Sequence, residues 1–382
     1  MRNRESLPRV MHLVTRMNVG GVAVLLDNLV ANIDKDEFEV VLATGFCESP
    51  EGEYLESRNI NYRLIQIPSF HKSLNFTDDL KSVVSIIKLL REFKPDIVHT
   101  HTSKAGLFGR LLSLLIAPSA KRVHTFHGHL LVGYFSPTKL RIVKEFEKSL
   151  GLITHKFIAM GTKVRDDLVA AGIGKASKFA VFFPGLDKPA FPDRDIARQN
   201  LNLKSDKTYC TFVGRLTHIK RPDRVLEVAK LVSEQNHDVE FLVVGDGDLA
   251  EEMKSEAQSL NLPITFLGWR QDIPAILKAS DILLLTSDNE AVALTLIEAT
   301  QAGIPIVTTP AGSVSDVAID EENGFVTGFN TEDLANAVLK LAENPGLREE
   351  YGIAGKNRSE TLFSIERMVK DHENLYKELL RK

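Results

Sequence analysis

The sequence predicts an α/β protein with two doubly wound parallel sheets in succession. Three features of its 382 residues predict this fold class. Short apolar runs rich in β-branched residues alternate with segments of helical periodicity, the alternation stops in a segment rich in Pro and Gly at residues 183–194, and it then begins again. Because strands that alternate with helices form parallel sheets covered on both faces, each half is expected to form one domain. The carboxyl ends of the two sets of strands would then face each other across an inter-domain cleft.

The individual elements follow from the same patterns. In the first half, strands are predicted at residues 9–15, 38–44, 96–99 and 122–126, and helices at 21–33, 81–93 and 104–116. In the second half, strands are predicted at 209–214, 240–245, 264–267, 282–285 and 306–308, each followed by a helical stretch. The predicted domains span residues 1–188 and 189–364. A last helix, 365–382, has no strand partner and is expected to pack back on the first domain.

Cysteine content and hydropathy predict a cytoplasmic protein. Cys47 and Cys210 are the only cysteines, and both lie in apolar, strand-like surroundings. Neither a disulfide framework nor a cysteine-based zinc site is therefore expected. The first residues do not resemble a leader peptide, and no run of about 18 uncharged apolar residues could span a membrane.

Charge is distributed unevenly along the chain. Residues 1–190 contain 26 Lys and Arg against 19 Asp and Glu, whereas the remainder contains 21 against 32. A basic half suits an anionic partner such as a lipid phosphate or a membrane surface. The apolar stretch 103–116, which has basic ends, could form an amphipathic helix on such a surface. Two simpler interpretations stay open, namely basic residues that only solvate helix faces and a plain core helix.

The strongest chemical signal is a pair of glutamates in residues 287–298, directly after the predicted strand 282–285. Glu290 falls in the turn and Glu298 inside the helix that follows. If the helix begins near Val292, the two carboxylates are about 9–12 Å apart along its axis. The free N–H groups of the first turn lie between them and could bind a phosphate. The alternative is an acidic residue that complements the helix dipole, followed by an ordinary helix glutamate.

Two cations follow the first strand of the second domain. Arg215 and Lys220 lie just beyond the predicted strand 209–214, at the cleft edge of the sheet. There they could neutralise a leaving diphosphate, a task that otherwise falls to a metal ion. The alternative is a pair of surface cations at a helix start.

Glycines follow two of the predicted strands. Gly20 and Gly21 come after the first strand, where they would let the backbone approach a phosphate or a sugar. Gly245 opens a segment, residues 245–250, that fits a dinucleotide-binding fingerprint. It lacks the acidic residue expected after the next strand, which argues against a dinucleotide oxidoreductase.

Five of the 11 histidines lie between residues 99 and 129, in the groups His99-Thr100-His101 and His124-Thr125-Phe126-His127-Gly128-His129. Both groups follow predicted strands and would line the cleft. No third acidic or cysteine partner lies at a useful spacing, so no metal site is expected.

Together, these elements resemble GT4, the large retaining family of nucleotide-sugar glycosyltransferases with two facing Rossmann-like domains (the GT-B fold). The resemblance covers nearly the whole chain. It is carried by Glu290-x7-Glu298, Gly214-Arg215…Lys220, Gly245-Asp246-Gly247, Leu267-Gly268-Trp269-Arg270 and Gly303-Ile304-Pro305-Ile306-Val307. One departure is that Ala291 and Ala293 replace flexible positions, where the family usually has glycine after the first glutamate.

The resemblance implies a role for each site position. Arg215 and Lys220 would hold the donor diphosphate, Glu298 the ribose hydroxyls and Glu290 the donor sugar. His127 would lie beside that sugar and the reaction centre. The catalytic residues it implies are His127, Glu290, Arg215 and Lys220. The donor-binding residues it implies are Gly20, Gly21, Arg215, Lys220, Gly245, Trp269, Arg270, Glu290, Leu294, Thr295 and Glu298.

The implied activity is a retaining, metal-independent transfer of a hexose or N-acetylhexosamine from a nucleotide-sugar, with a UDP-sugar as the expected co-substrate. The implied acceptor is a glycan or a lipid-linked glycan in bacterial surface polysaccharide synthesis. The enzyme would need no other cofactor, would bind no nucleic acid, and would contact the cytoplasmic membrane peripherally. A nucleotide-sugar epimerase or hydrolase on the same scaffold, and a non-catalytic sugar-nucleotide-binding protein, stay open as alternatives.

Overall fold

The computed structural model describes residues 7–49, 51–128, 131 and 136–381. His129 of the second histidine group lies outside these residues. The chain divides into two compact units. The first unit extends to Leu186 and includes the C-terminal segment from Ile365, and the second unit is Asp187–Ser364.

Within the described residues, each unit contains one parallel sheet. The strands of the first sheet are β1 (Arg9–Arg16), β2 (Glu39–Gly45), β3 (Arg63–Gln66), β4 (Ile97–His101), β5 (Lys121–Phe126), β6 (Lys156–Ala159) and β7 (Phe179–Val181). The strands of the second sheet are β8 (Thr208–Val213), β9 (Val239–Val244), β10 (Ile264–Gly268), β11 (Ile282–Leu285), β12 (Ile306–Thr308) and β13 (Gly324–Val326).

Helices connect these strands and cover the sheets. In chain order they are α1 (Gly21–Asn32), α2 (Phe76–Phe93), α3 (Ser103–Ile116), α4 (Pro137–Ile153), α5 (Thr162–Ala170), α6 (Arg194–Asn200), α7 (Pro222–Ser233), α8 (Ala250–Ser259), α9 (Ile273–Ala279), α10 (Leu294–Ala302), α11 (Thr331–Ala342), α12 (Pro345–Leu362) and α13 (Ile365–Arg381). None of the helices in the described ranges is both long and apolar enough to cross a bilayer.

The strand order positions the site. The first sheet has the order β3-β2-β1-β4-β5-β6-β7 and the second the order β10-β9-β8-β11-β12-β13. In the first sheet, the strands after β3 are added on the other side of β1, beginning with β4. In the second sheet, the strands after β10 are added on the other side of β8, beginning with β11. In open parallel sheets, such a switch point leaves a crevice outside the carboxyl ends of the strands.

All of the predicted strands form, and the burial of their residues explains why. Residues 10–15 of β1 are buried without a break, as expected for a strand covered on both faces. Four short strands, β3, β6, β7 and β13, were not predicted. The predicted start of α2, residue 81, was too late. The Asn75 side chain accepts hydrogen bonds from the N–H groups of Thr77 and Asp78, so the helix begins at Phe76.

The last helix belongs to the first unit. On α13 the buried residues recur every three or four positions, which is the spacing of one helix face. This face packs against α1 and carries Tyr376, which is fully buried. The helix therefore contributes to the interior of the first unit as well as covering it.

Candidate active site

Lys220 and Glu290 form an ion pair beside the switch point of the second sheet. Lys220 ends a short 3-10 helix after β8, and Glu290 lies in the turn after β11. Lys220 Nζ is 2.5 Å from Glu290 Oε1, and the Ser287 hydroxyl donates to the same oxygen at 2.6 Å. The two charged side chains are only 18% and 10% exposed. The structure thus brings together two residues that are 70 positions apart in the chain.

The main chain around Lys220 is bonded to the turn that carries Glu290. The Thr286 hydroxyl lies 3.0 Å from the Lys220 carbonyl oxygen and 2.9 Å from that of Arg221. The Asp288 N–H donates to the Ile219 carbonyl at 3.0 Å. The position of the ion pair is therefore fixed by backbone contacts as well as by its own charges.

The turn that carries Glu290 depends on a glycine that the sequence analysis did not single out. Gly312 has a φ of +57°, and a Cβ there would lie 1.7 Å from the Glu290 carbonyl oxygen. The next residue, Ser313, donates its N–H to the Ala291 carbonyl at 3.0 Å. Neither Ala291 nor Ala293 has a positive φ. Alanine therefore fits both positions without backbone strain.

The loops after β8, β9 and β10 lie side by side. Gly245 has a φ of +131°, and a Cβ there would lie 1.9 Å from the Gly214 carbonyl oxygen, so only glycine permits this approach. Its N–H donates to the Gly268 carbonyl at 2.8 Å. Beyond Gly268, the Trp269 side chain is exposed and Arg270 forms an exposed ion pair within its own turn.

Helix α10 presents free N–H groups at its start. It begins at Leu294, two residues later than the start near Val292 used in the sequence analysis, and Ala293 is its N-cap. No described residue accepts a hydrogen bond from the N–H groups of Leu294 or Thr295. Unpaired N–H groups and the positive end of the helix dipole together attract an anion.

Glu298 lies one turn further along α10. Its half-buried carboxyl makes no hydrogen bond or ion pair with the part of the chain that the structure describes. Burial alone raises the pKa of the Glu298 carboxyl to about 7. Because this half-buried carboxyl has no donor in the described chain, its oxygens are open to donors from a ligand. Hydroxyl groups could be such donors, because a carboxylate accepts several hydrogen bonds.

Arg215 differs from Lys220 in having no acidic partner. Its side chain is exposed and, within the described ranges, makes no hydrogen bond or ion pair. It is therefore a cation that can meet an incoming anion without first releasing a carboxylate.

The switch point of the first sheet is also bordered by a glycine loop. Gly20 is the N-cap residue of α1, and Gly21 is its first residue. On the other side, the Thr102 hydroxyl lies 2.7 Å from that of Thr15 on β1. The predicted glycine loop thus lies between β1 and the start of α1, where its backbone could approach a ligand.

A cavity of about 660 Å³ lies in the first unit, near the carboxyl end of β5. Its lining residues are Val22, Lys72, Thr102, Ser103, His124, Thr125, Phe126, His127, Gly128 and Lys139. Its size suits a small polar molecule. The predicted catalytic residue His127 is among the residues that line it.

His127 is half-buried and is hydrogen-bonded to another histidine. Its Nε2 lies 2.8 Å from His101 Nδ1, and His101 Nε2 lies 3.0 Å from His12 Nδ1. Burial, with a smaller contribution from His372, lowers the pKa of His12 and His127 to about 3. These imidazoles are therefore neutral at physiological pH.

His12 is the residue of this group that the sequence analysis missed. The ring nitrogens of His12, His99 and His101 lie within 4.8 Å of one another, close enough to share a metal ion. In this structure those nitrogens instead face each other or hydroxyl groups. Local spacing could not reveal His12, but the pairing of β1 with β4 places it directly opposite His99.

Comparisons with known proteins bear on both units. The Glycosyltransferase Family 4 description matches residues 19–188, and Glycosyl transferases group 1 matches residues 193–358. The UDP-Gal:alpha-D-GlcNAc-diphosphoundecaprenol alpha-1,3-galactosyltransferase of Escherichia coli is similar over nearly the full length. It is 31% identical over 371 residues, which is 91% of this chain and 93% of that protein.

Solved structures confirm the fold class. HepE of Anabaena in complex with UDP and glucose has a TM-score of 0.80 at 20% identity, over 97% of this chain and 100% of that one. Sucrose-phosphate synthase of Thermosynechococcus elongatus has a TM-score of 0.84 at 19% identity, over 98% of this chain and 99% of that one. The predicted pair of Rossmann-like domains is therefore correct.

Proposed function

The chain is a glycosyltransferase that belongs to family GT4, and we propose that it transfers a hexose or N-acetylhexosamine from a UDP-sugar with retention at the anomeric carbon. The transfer needs no metal ion. The observation that carries the proposal is the cluster at the switch point of the second sheet. There, the exposed cation Arg215, the ion pair of Lys220 with Glu290, and the free N–H groups at the start of α10 occupy neighbouring loops.

These groups suit a sugar nucleotide diphosphate. Arg215 and Lys220 neutralise the diphosphate, and the N–H groups of Leu294 and Thr295 donate to its oxygens. Glu298, which lacks donors in the described chain, accepts hydrogen bonds from the ribose hydroxyls. Glu290 accepts from the hydroxyls of the donor sugar. Because fixed cations and amides stabilise the leaving group, the reaction does not depend on a divalent ion.

The reaction proceeds by same-face attack. No Asp or Glu stands out as a nucleophile on the acceptor side, so a covalent intermediate is not part of the proposal. The acceptor hydroxyl bonds to a phosphate oxygen of the departing UDP and passes its proton to it. The new C–O bond forms on the face from which the phosphate leaves, which retains the configuration.

We propose a glycan or lipid-linked acceptor in surface polysaccharide synthesis. The name of the similar Escherichia coli enzyme includes UDP-Gal and a diphosphoundecaprenol acceptor. An acceptor with a lipid tail is held at a membrane surface, so an enzyme that uses one benefits from binding there.

The surface of the first unit supports such a contact. On α2, Phe76 is 87% exposed, and Leu80 and Val84 follow at four-residue spacing, so all three lie on one face. Helix α3, which packs against α2, exposes Leu111 and Leu115. Residues 103–116 were predicted for this role, but Leu111 and Leu115 are the exposed large apolar residues of α3, and α2 carries the more exposed apolar stripe. The predicted peripheral membrane contact is therefore proposed for α2.

A transfer assay tests the reaction. The purified protein is incubated with UDP-sugars and a lipid-linked glycan in the presence of a chelator, and UDP release and product are measured. We expect turnover without metal, an absolute need for acceptor, and a loss of about 100-fold or more in Arg215→Ala and Lys220→Ala. Lys230→Ala, an exposed cation on α7 of the same unit, is the matched control and should keep normal turnover.

Several results would reject this function. Isomerisation of the donor alone would indicate an epimerase, and UDP release without acceptor would indicate a hydrolase. An inverted anomeric configuration in the proton NMR spectrum of the product would exclude the same-face route. Full turnover by Arg215→Ala in chelator would exclude the diphosphate role.

A further inference from the structure

The cavity of the first unit has a cationic lining. The charged residues among its described lining are Lys72 and Lys139, and no Asp or Glu is among them. The pKa of His124 and that of His127 are both lowered, chiefly by burial, so the two imidazoles of the lining are neutral. The net charge of the described lining is therefore positive, which favours an anionic ligand.

Lys72 is placed to bind an additional anion. Its Nζ lies 3.4 Å from Glu51 Oε1, which is its only acidic partner within the described ranges. The same oxygen already accepts a hydrogen bond from Arg16 Nη2 at 2.7 Å. Two cations thus share one carboxylate, and the side chain of Lys72 is 65% exposed. The ammonium group can therefore bind a ligand while Glu51 keeps its bond to Arg16.

The loop that carries Lys72 is held by a lysine of α3. Lys104 Nζ donates to the carbonyl oxygens of His71 and Ser73, both at 2.8 Å. Lys104 also forms an ion pair with Asp79 on α2, and its side chain is only 10% exposed. The charge of Lys104 is thus used within the fold. Lys72 lies between the two carbonyl groups that Lys104 fixes, so its loop is already in place at the cavity.

The start of α3 adds hydrogen-bond donors to the same lining. Thr102, the N-cap residue, and Ser103, the first residue of the helix, both line the cavity. No described residue accepts a hydrogen bond from the N–H groups of Ser103 or Lys104. Thr102 has a φ of +67°, an unfavourable value for a β-branched residue, and its hydroxyl is held by that of Thr15. Unpaired N–H groups at the positive end of a helix dipole favour a phosphate.

Exposed apolar side chains follow directly after Lys72 in the chain. Leu74 is 86% exposed, and Phe76, which is 87% exposed, begins the apolar stripe of α2. The Cα atoms of Lys72 and Leu74 are at most about 7 Å apart, since they are separated by two residues of chain. A ligand with an anionic head and an apolar tail matches both features. A neutral glycan would leave the lysine unused, and a free phosphate would leave the apolar side chains uncovered.

We propose that this cavity binds the phosphate or diphosphate of a lipid-linked acceptor. Lys72 and the N–H groups of Ser103 and Lys104 contact the phosphate oxygens. The lipid tail leaves the cavity past Leu74 and Phe76. This inference rests on the proposed function, because it selects one of the two acceptor classes named there, the lipid-linked sugar rather than the free glycan. In the proposed reaction the second unit holds the donor diphosphate, so the anion in the first unit belongs to the acceptor.

A binding experiment without donor tests the site. The full-length protein is titrated by calorimetry with a hexose linked through a diphosphate to a short alkyl chain, and with the neutral alkyl glycoside of the same hexose. We expect the wild type to bind the diphosphate at least tenfold more tightly. Lys72→Ala should lose about tenfold or more of this affinity, with unchanged affinity for UDP and for the glycoside.

Lys88→Ala is the matched control. Lys88 is also an exposed lysine of the first unit, 75% exposed, and its glutamate partner Glu92 lies 3.8 Å away. This variant should bind the diphosphate as the wild type does. Wild-type affinity in Lys72→Ala, or equal wild-type affinity for the diphosphate and the glycoside, would overturn the proposal.

A second pair of variants tests the helix donors. Proline is accepted at the first position of a helix, so Ser103→Pro removes one N–H group without breaking α3. Ser103→Ala removes the hydroxyl and keeps the N–H group. We expect Ser103→Pro to bind the diphosphate about tenfold more weakly than Ser103→Ala does. Equal affinities would overturn the role of the α3 N–H groups.

Competition separates the acceptor phosphate from a membrane headgroup. Short-chain phosphatidylglycerol has the same combination of phosphate and apolar tail but lacks the hexose diphosphate. It should displace the hexose diphosphate at least tenfold less effectively than that compound displaces itself. Equal displacement would show that the site binds a bilayer lipid and would overturn the acceptor assignment.

The two proposals fail separately. A wild-type protein that transfers no sugar rejects the proposed function, whereas the titrations without donor still decide the phosphate site. A protein that transfers sugar equally well to the glycoside and to the diphosphate keeps the proposed function and overturns this inference. In the active enzyme, Lys72→Ala should raise the KM for the diphosphate acceptor about tenfold while leaving the KM for the glycoside unchanged.

Discussion

Replacing Glu298 with Gln should stabilise the second unit at alkaline pH and weaken its binding of UDP. The carboxyl is half-buried, has no partner in the described chain, and has a pKa raised by burial alone. Gln has nearly the same shape but carries no ionisable proton. The substitution therefore removes the cost of a partly buried carboxylate while keeping the packing.

The magnitude follows from the difference between the two pKa values. The ordinary pKa of the carboxyl is 4.5, and in the folded protein it is about 7. Below pH 4.5 the folded and unfolded states both hold the proton, so Glu298 carries no ionisation cost. Between these values only the unfolded state has lost it, so the free energy of unfolding falls as the pH rises. Above pH 7 the full difference is about 3 kcal/mol, at about 1.4 kcal/mol per pKa unit.

Urea unfolding at pH 5 and pH 8 measures this effect. Trp269 is the only tryptophan in the chain and lies in the second unit, so its fluorescence follows that unit. Between pH 5 and pH 8, the free energy of unfolding of Glu298→Gln should rise by about 2–3 kcal/mol relative to that of the wild type. Glu252→Gln, an exposed position on α8, is the control and should show no such gain. If Glu298→Gln behaves like this control, ionisation of the Glu298 carboxyl does not destabilise the folded protein.

The same carboxyl should report the ribose. Hydroxyls that donate to Glu298 favour its ionised form, so UDP binding near pH 6.5 should release protons. Calorimetry in buffers with different ionisation enthalpies measures that release. It should be smaller in Glu298→Gln, in which only the UDP phosphate, with a second pKa of about 6, still loses its proton. UDP affinity should also fall at least tenfold, since hydrogen bonds to a charged group are worth about 1.5–3 kcal/mol. Unchanged affinity would show that the ribose binds elsewhere.

Two further predictions concern the first unit. The double variant Phe76→Ser, Leu80→Ser should lower partitioning onto anionic vesicles about tenfold or more in flotation assays. The control Ile353→Ser, at an exposed apolar position in the second unit, should not lower it. Equal losses in both variants would show that α2 has no special role in membrane binding. Glu147→Gln should accelerate amide exchange in α3 about 100-fold or more, because Arg110, which is fully buried and lies 2.8 Å from Glu147, would lose its countercharge. Replacing the pair together by Met and Leu should restore slow exchange, and a fast double variant would contradict this reasoning.

Much of the second unit could be predicted because its signals are local. Glu290 and Glu298 lie in one turn and one helix, and Arg215 and Lys220 follow one strand. Periodicity located those strands to within one or two residues, and the carboxyl ends of parallel strands share one edge. The pairing of Lys220 with Glu290 then needs only the knowledge that β8 and β11 are neighbours.

The contacts among His12, His99, His101 and Tyr376 could not be predicted because these residues are distant in sequence. His12 lies 89 residues before His101, and Tyr376 lies 277 residues after His99. The order of the sheet places His12 beside His99, but nothing in the local sequence says that α13 inserts Tyr376 between them. These contacts therefore depend on tertiary packing that composition and spacing do not encode.

The second unit separates the support of its site from the chemistry of its site. Gly312 and Gly245 fix the loops through close backbone contacts, and Thr286 holds the Lys220 segment through carbonyl oxygens. None of these contacts uses the ammonium group of Lys220 or the guanidinium of Arg215. Removing the Arg215 guanidinium should therefore leave the loops in place, whereas removing the Lys220 ammonium also leaves Glu290 without its countercharge. A loss of turnover in Arg215→Ala would then report a missing charge in the transition state rather than a collapsed site.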